Sequence, residues 1–191
     1  MKNVAIFASG SGTNAQAIIE HLNKSKVGRV SGIFSNNKDA FVLQRAQKYN
    51  IPDYVFSKNE FYNTTNIRDI LNEKKIDFIV LAGFLWLIPE YLLIAFPDRI
   101  INIHPALLPK YGGKGMYGMR VHEAVINNKE KESGITIHYV NENYDEGNII
   151  FQAKCKITQN DSPETLAKKI HELEHKHYPR IVEELLINLE K

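Results

Sequence analysis

The amino-acid sequence predicts an α/β protein with a doubly wound, mostly parallel sheet and an antiparallel strand pair toward the C-terminus. Through the first half of the chain, short apolar runs alternate with amphipathic stretches. This alternation is typical of parallel strands covered by helices on both faces. Later in the chain, the apolar runs GITIHYV and NIIFQAKCKI are separated only by NENYDEG. Because so short a connection joins antiparallel strands, we expect this pair at one side of the sheet.

The individual elements follow in chain order. NVAIFAS (3–9) is an apolar, partly β-branched run that predicts the first strand, and a glycine turn separates it from the helical NAQAIIEHLNK (14–24). Further strands are predicted at RVSGIFS (29–35), PDYVF (52–56), DFIVLAG (77–83) and RIINIHP (99–105). Further helices are predicted at KDAFVLQRAQKYN (38–50), IRDILNEKK (67–75) and PEYLLIA (89–95). Ser162 and Pro163 suit the N-cap and first position of a final helix.

Composition and charge indicate the broad class of protein. The 191 residues are 43% hydrophobic and include 24 basic and 22 acidic side chains. They predict one well-buried domain over 1–191, and a net charge of +2 without a basic block favours neither nucleic acid nor membrane as partner. The only cysteine, Cys155, cannot form an internal disulfide. A single thiol fits a reducing compartment, so we expect a cytoplasmic protein.

The glycine turn after the first strand predicts an anion-binding site. Gly10, Gly12 and Ala15 in FASGSGTNAQ fit the dinucleotide-binding pattern G-x-G-x-x-A. That pattern requires an acidic residue near the end of the second strand, where this chain has IFSNN. A single phosphate at the helix N-terminus is therefore favoured over a dinucleotide. The alternative is a tight turn that needs glycine only for its geometry.

A second candidate site lies at the end of the strand RIINIHP. Asn102 and His104 are two residues apart on an extended chain, so both side chains point to the same face. An amide can stabilise an oxyanion, and an imidazole can transfer protons near neutral pH. The loop that follows carries glycines at 112, 113, 115 and 118, which predicts a mobile flap. The alternative for His104 is a strand-end residue held by a backbone carbonyl.

Asp145 lies in the turn NENYDEGN between the two antiparallel strands. It either satisfies the amides of that turn or lies against His104. In the second case its charge favours the imidazolium, and we expect it to outweigh burial and keep His104 protonated.

HELEH (171–175) matches the zinc-hydrolase pattern H-E-x-x-H. A third ligand is needed, but the extended pattern requires glycine at 178 and histidine at 181, where this chain has Tyr178 and Ile181. Pro179 is also expected to bend or break the helix just past the motif. We therefore interpret the match as coincidence and expect no metal.

The ordered motifs SGSGTN, FSNNKDAF, VLAGF, NIHPALLPKY, DEG and EHKHYP resemble the phosphoribosylglycinamide formyltransferases, which are folate-dependent formyltransferases with a Rossmann-like fold. The resemblance spans nearly the whole chain. It implies transfer of a formyl group from 10-formyltetrahydrofolate to the amine of glycinamide ribonucleotide, which yields formylglycinamide ribonucleotide and tetrahydrofolate in purine biosynthesis. It also implies small-molecule substrates, no metal, and a monomer or weak homodimer.

The same resemblance implies roles for individual residues. Asn102, His104 and Asp145 are the implied catalytic residues. The implied ribonucleotide-binding residues are Gly12, Thr13, Asn14, His171 and Glu174. The implied folate-binding residues are Leu85, Trp86, Leu87, Ile88, Leu93, Asn141, Glu142, Asn143 and Tyr144.

This chain departs from the family pattern in three places. Trp86 stands where relatives often have arginine, and the loop KNEFYNTTN lacks an expected arginine. The segment GGKGMYGMRVHEA (112–124) is longer than in some relatives and is expected to form a different flap.

Methionyl-tRNA formyltransferase and formyltetrahydrofolate hydrolase share the HP-x-LLP segment, but each carries an additional domain. A non-catalytic nucleotide-binding module is disfavoured because Asn102, His104 and Asp145 occur together.

Overall fold

A computed structural model describes residues 1–189. The strands are β1 (Lys2–Phe7), β2 (Gly28–Ser35), β3 (Asp53–Val55), β4 (Phe78–Leu81), β5 (Ile100–His104), β6 (Glu132–Tyr139) and β7 (Ile149–Lys156). The helices are α1 (Thr13–Ser25), α2 (Phe41–Lys48), α3 (Lys58–Asn63), α4 (Asn66–Glu73), α5 (Glu90–Ala95), α6 (Met119–Asn127) and α7 (Pro163–Asn188). No helix in this range combines the length and apolar character needed to cross a membrane.

All seven strands form one sheet in the order β3-β2-β1-β4-β5-β6-β7. The pairs from β3 to β5 are parallel, whereas β6 is antiparallel to both β5 and β7. The predicted fold class is therefore confirmed, including the antiparallel pair. From β1 the chain runs outward through β2 and β3 and then returns to the other side of β1 at β4. Ligands of open α/β sheets bind at such a change of direction, at the carboxyl ends of the strands.

Hydrophobic cores lie on both faces of the sheet, and alternate residues of β1 contribute to each. Val4 and Ile6 belong to the core beneath α1, α2 and α7, while Ala5 and Phe7 belong to the core beneath α3, α4 and α5. Phe7 stacks on Phe34, with ring centroids 4.8 Å apart. Because β1 is buried on both faces, its sequence is a continuous apolar run rather than an alternating one.

Several details differ from the sequence predictions. Helices α3 and α6 were not predicted, and α6 begins at Met119, within the segment 112–124 where a flap was expected. Pro179, where a bend or a break was expected, does not break the helix, since α7 continues from Pro163 to Asn188. A proline removes one backbone hydrogen bond. Burial of Val182 and Leu186 beyond it keeps the last turns of α7 against the sheet. The predicted cap is confirmed, because Ser162 Oγ accepts a hydrogen bond from Thr165 N.

Candidate active site

A cavity of about 730 Å³ opens at the carboxyl ends of β1, β4 and β5. The glycine turn 9–14 and the segment 81–88 at the end of β4 both line it. Residues 102–105, the glycine loop 113–118 and the turn 143–145 complete the wall together with side chains of α6 and α7. The cavity therefore lies where the sheet order changes direction, which is the expected position for a ligand site.

The glycine turn places the first turn of α1 against this cavity. Gly12 caps α1 with a φ of 71°, a left-handed conformation that favours glycine, and a Cβ at this position would collide with Val42. Thr13 and Asn14 begin the helix, so their backbone N–H groups have no partners within it. Such groups attract an anion. Arg45 donates Nε–H to the carbonyl of Ser11 at 2.7 Å and thereby fixes the turn from outside.

The structure brings Asn102, His104 and Asp145 together. Asp145 Oδ2 lies 3.4 Å from His104 Nδ1 and accepts a 2.9 Å hydrogen bond from the backbone N–H of Gly113. Asp145 Oδ1 accepts a 3.4 Å hydrogen bond from Asn102 Nδ2. Strand pairing explains part of this geometry because β6 places His138 directly opposite Asn102 on β5. His138 Nε2 lies 3.3 Å from Asn102 Nδ2 and 3.6 Å from Asp145 Oδ1.

The hairpin turn between β6 and β7 returns Asp145 to the end of β5. Gly147 allows this turn, because a Cβ there would collide with the carbonyl oxygen of Tyr139. Burial raises the pKa of Asp145, but His138, His104 and the N–H of Gly113 together lower it by more. The net pKa of this carboxyl lies below its usual value, and Asp145 is therefore ionised at neutral pH.

His104 is 3% exposed, and both of its ring nitrogens face protein atoms. Nε2 lies 2.7 Å from the carbonyl oxygen of Tyr111, which only accepts, so Nε2 carries a proton. The backbone-carbonyl contact and the carboxylate contact therefore both occur, although the sequence offered them as alternatives. Burial lowers the pKa of His104, and the charge of Asp145 raises it by less. The expectation that Asp145 outweighs burial is wrong, because the net pKa lies below the usual value.

A second polar cluster lies on the α7 side of the cavity. Glu174 is 5% exposed, and its Oε2 accepts hydrogen bonds from Asn14 Nδ2 at 3.0 Å and from His171 Nδ1 at 2.8 Å. The hydrogen bond and charge of Glu174 raise the pKa of His171 against the opposing effect of burial. This cluster joins the glycine turn to α7, and all three side chains line the cavity.

The remaining part of the wall is largely apolar. Leu85, Trp86, Leu87 and Ile88 line it, and Asn143 and Tyr144 face it from the β6–β7 turn. The Trp86 ring packs 5.7 Å from Phe61 and 6.0 Å from Tyr62, as measured between ring centroids.

Three of the residues named for folate do not line this cavity. Leu93 packs against the core beneath α3, α4 and α5, because it lies on the inward side of α5. Asn141 uses its Oδ1 to accept the N–H of Asn143, and Glu142 is exposed.

Several lining residues were not predicted from the sequence. His138 and His122 are both buried, and Lys114, Met116, Tyr117 and Arg120 come from the glycine loop and the start of α6. A histidine within the apolar strand ITIHYV was a usable signal for His138. No local signal marks His122, because its place depends on how α6 packs against α7. Mobility of the loop 112–118 stays a prediction.

The two histidines of HELEH lie in different surroundings. His171 Nδ1 is engaged by Glu174, and His175 is exposed. Within residues 1–189, no group of three or more His, Cys, Asp or Glu side chains is arranged to hold a metal ion.

Fold and site together define a Rossmann-like α/β domain with an acid–base pair between an anion-binding turn and an apolar wall. The family model described as formyl transferase matches residues 2–182. The chain therefore belongs to the formyl transferase family.

Individual relatives carry a more specific name. The chain is 43% identical over 187 residues to the chloroplastic phosphoribosylglycinamide formyltransferase of Arabidopsis thaliana, covering 95% of this chain and 64% of that protein. It thus spans less than two thirds of the length of this relative. It is 37% identical to the phosphoribosylglycinamide formyltransferase of Bacillus subtilis, covering 97% of this chain and 95% of that one. The solved phosphoribosylglycinamide formyltransferase of Bacillus halodurans superposes with a TM-score of 0.87 at 39% identity, over 99% and 97% of the two chains.

Proposed function

We propose that this protein transfers the formyl group of 10-formyltetrahydrofolate to the amine of glycinamide ribonucleotide. The products are formylglycinamide ribonucleotide and tetrahydrofolate, and the reaction belongs to purine biosynthesis. The observation that carries the proposal is the position of His104, Asp145 and Asn102 in one cavity, between an anion-binding turn and an apolar wall. The names of the relatives support the same activity.

Two parts of the cavity wall suit the two substrates. The backbone N–H groups of Gly12, Thr13 and Asn14 suit the phosphate of the ribonucleotide, because a helix N-terminus favours negative charge. Glu174 accepts hydrogen bonds from Asn14 of this turn and from His171, lines the same cavity as His104 and suits the substrate amine.

Along the apolar wall, Leu85, Trp86, Leu87 and Ile88 suit the pterin ring of the folate, and Asn143 and Tyr144 line the same cavity. The reacting amine and the formyl carbon then meet beside Asn102 and His104. Leu93, Asn141 and Glu142 lie outside the cavity and are left out of the proposed folate site.

The proposed reaction proceeds by addition and elimination. The neutral amine nitrogen attacks the formyl carbon, and the carbonyl oxygen becomes an oxyanion. The side-chain N–H groups of Asn102 stabilise this oxyanion, joined by His104 once its Nδ1 has taken a proton. The attacking nitrogen loses a proton, which passes to His104 or through ordered water to N10 of the folate. The carbon–N10 bond then breaks, and tetrahydrofolate leaves with that proton. Side chains and substrates supply every group that this reaction needs. No metal or redox cofactor therefore enters the scheme.

We also propose that the protein works in the cytoplasm as a single domain, 1–191, and as a monomer or weak homodimer. The unpaired thiol of Cys155 supports a reducing compartment. A net charge of +2 supports small-molecule substrates rather than nucleic acid or a membrane surface. Sedimentation at several protein concentrations tests the oligomeric state.

Purified protein, 10-formyltetrahydrofolate and glycinamide ribonucleotide test the proposed activity, with absorbance used to follow the folate product. Water alone and initiator methionyl-tRNA serve as alternative acceptors. We expect transfer only with the ribonucleotide, and a loss of roughly 10²–10⁴-fold in His104→Ala. His175→Ala is the matched control because His175 is exposed. Equal formyl loss without the ribonucleotide would indicate a hydrolase, and no turnover with any acceptor would contradict the proposal.

A further inference from the structure

His122 is a buried histidine in the cavity wall to which no role has yet been given. It lies on α6, is 3% exposed and lines the cavity together with Glu174 and His171 of α7. Its Nδ1 is enclosed and has no hydrogen-bond partner within residues 1–189. A buried polar atom without a partner costs free energy, so core histidines are normally hydrogen-bonded. The enclosed Nδ1 cannot meet a ligand, so the part of the ring that a ligand can contact is the part that lines the cavity.

The protonation state of His122 follows from its surroundings. Burial lowers its pKa, and a positive charge on His171 lowers it further, against the opposing charge of Glu174. The imidazole is therefore neutral at neutral pH and carries one N–H and one lone pair. Because Nδ1 is enclosed, the ring reaches a ligand only through Nε2. Among buried backbone groups, an unpaired N–H is rarer than an unpaired acceptor, and the same preference favours the lone pair on Nδ1 and the N–H on Nε2.

His122 and Glu174 consequently offer opposite hydrogen-bonding groups from neighbouring helices. Both hydrogen bonds described for the Glu174 carboxylate use Oε2, so Oε1 can accept an N–H from a substrate. His122 supplies a donor in the same cavity wall, on a helix that packs against α7. In a glycinamide group, an amine that donates and a carbonyl oxygen that accepts are separated by two carbon atoms. One acceptor and one donor match that pair.

We propose that His122 binds the ribonucleotide substrate by donating Nε2–H to the carbonyl oxygen of its glycinamide group, while Glu174 accepts a hydrogen bond from the neighbouring amine. This inference rests on the proposed function and extends it, because it assigns a specificity role to α6. His122 selects an amine with an adjacent carbonyl group, and it holds the amine at the distance from His104 that transfer requires.

The test compares His122→Phe, His122→Gln and His122→Asn with the wild-type protein. Phenylalanine keeps the ring and removes the donor, whereas the amide N–H of glutamine lies near the position of Nε2 and that of asparagine near Nδ1. We expect His122→Phe and His122→Asn to raise the KM for glycinamide ribonucleotide about two- to tenfold, while His122→Gln stays near wild type. The KM for the folate should not change in any variant. His175→Phe is the matched control because His175 is exposed.

A substrate analogue separates recognition from a structural role. In this analogue a methylene group replaces the glycinamide carbonyl, so the proposed hydrogen bond cannot form. We expect the wild-type protein and all three His122 variants to bind the analogue equally, as measured by titration calorimetry. If the His122 substitutions weaken binding of the analogue as much as binding of the substrate, the inference is overturned.

Thermal unfolding shows whether each variant folds. If His122→Phe does not fold, the comparison of His122→Gln with His122→Asn still tests the inference, since both variants keep a polar side chain. Equal KM values for these two amides would contradict the inference. Absence of transfer by the wild-type protein would instead contradict the proposed function, so the two failures are distinguishable.

Discussion

Substitution of Glu174 by Gln tests the polar cluster between the glycine turn and α7. The substitution keeps the shape of the side chain and removes its charge. In the structure, Glu174 Oε2 accepts hydrogen bonds from His171 and Asn14, and the carboxylate is almost fully shielded from water. Glutamine can still accept these two N–H groups through its oxygen. The change therefore isolates the contribution of the negative charge to substrate binding.

The expected magnitude follows from burial and from the number of contacts. A hydrogen bond to a charged group contributes about 1.5–3 kcal/mol, so its weakening should raise the KM for the ribonucleotide roughly ten- to a hundredfold. The KM for the folate should stay nearly constant because Leu85–Ile88 lie elsewhere in the wall. The hydrogen bond that His171 donates to Glu174 is the main cause of the raised pKa of His171. That pKa should therefore fall in the variant.

Two measurements check this prediction. Steady-state kinetics with each substrate varied in turn give the two KM values, and NMR titration gives the pKa of His171. Glu172→Gln is the matched control, because Glu172 is the same residue type on the same helix but is exposed. If Glu174→Gln retains wild-type KM values and the His171 pKa does not change, Glu174 has no role in substrate binding.

Three further predictions concern other parts of the molecule. Asp145→Asn removes the charge that raises the His104 pKa, so this pKa should fall in an NMR titration, and formyl transfer at pH 7 should fall with it; a higher pKa would refute the pairing. Formyl transfer should survive exhaustive chelation because HELEH lacks a third ligand, and a loss that zinc restores would contradict this. Tyr178→Phe should lower the free energy of unfolding in urea by about 1–2 kcal/mol, since the buried Tyr178 hydroxyl donates to the carbonyl of Leu81 at 2.8 Å; unchanged stability would show that this hydrogen bond contributes nothing.

Most strands could be predicted because their burial leaves a continuous apolar run, as in VAIF of β1. Helix α3 was missed because KNEFYN is short and polar, although Ser57 and Glu60 form a capping box that the sequence contains. Helix α6 was missed because the glycines at 112–118 dominated the interpretation of that segment. Continuation of α7 through Pro179 depends on burial against the sheet, and no local rule contains that information.

The candidate site shows the same division between local and long-range information. Asn102 and His104 could be predicted because they occupy the end of one strand and share a face. Asp145 reaches His104 only because the β6–β7 turn folds back to the end of β5. The sequence indicated this turn but not its position relative to β5. The position of His122 in the cavity wall depends on the packing of α6 against α7, and this contact is visible only in the folded chain.

The lowered pKa of His104 changes the order in which protons move in the proposed reaction. Nε2 always carries a proton because it donates to the carbonyl of Tyr111, so Nδ1 is the nitrogen that gains and loses one. In the free protein burial keeps Nδ1 bare, at 3.4 Å from Asp145. His104 therefore begins as a base: Nδ1 takes the proton that the attacking amine releases, and Asp145 stabilises the imidazolium that forms. The same burial that lowers the pKa then favours delivery of this proton to N10 of the folate, so the balance between Asp145 and burial suits both halves of the transfer.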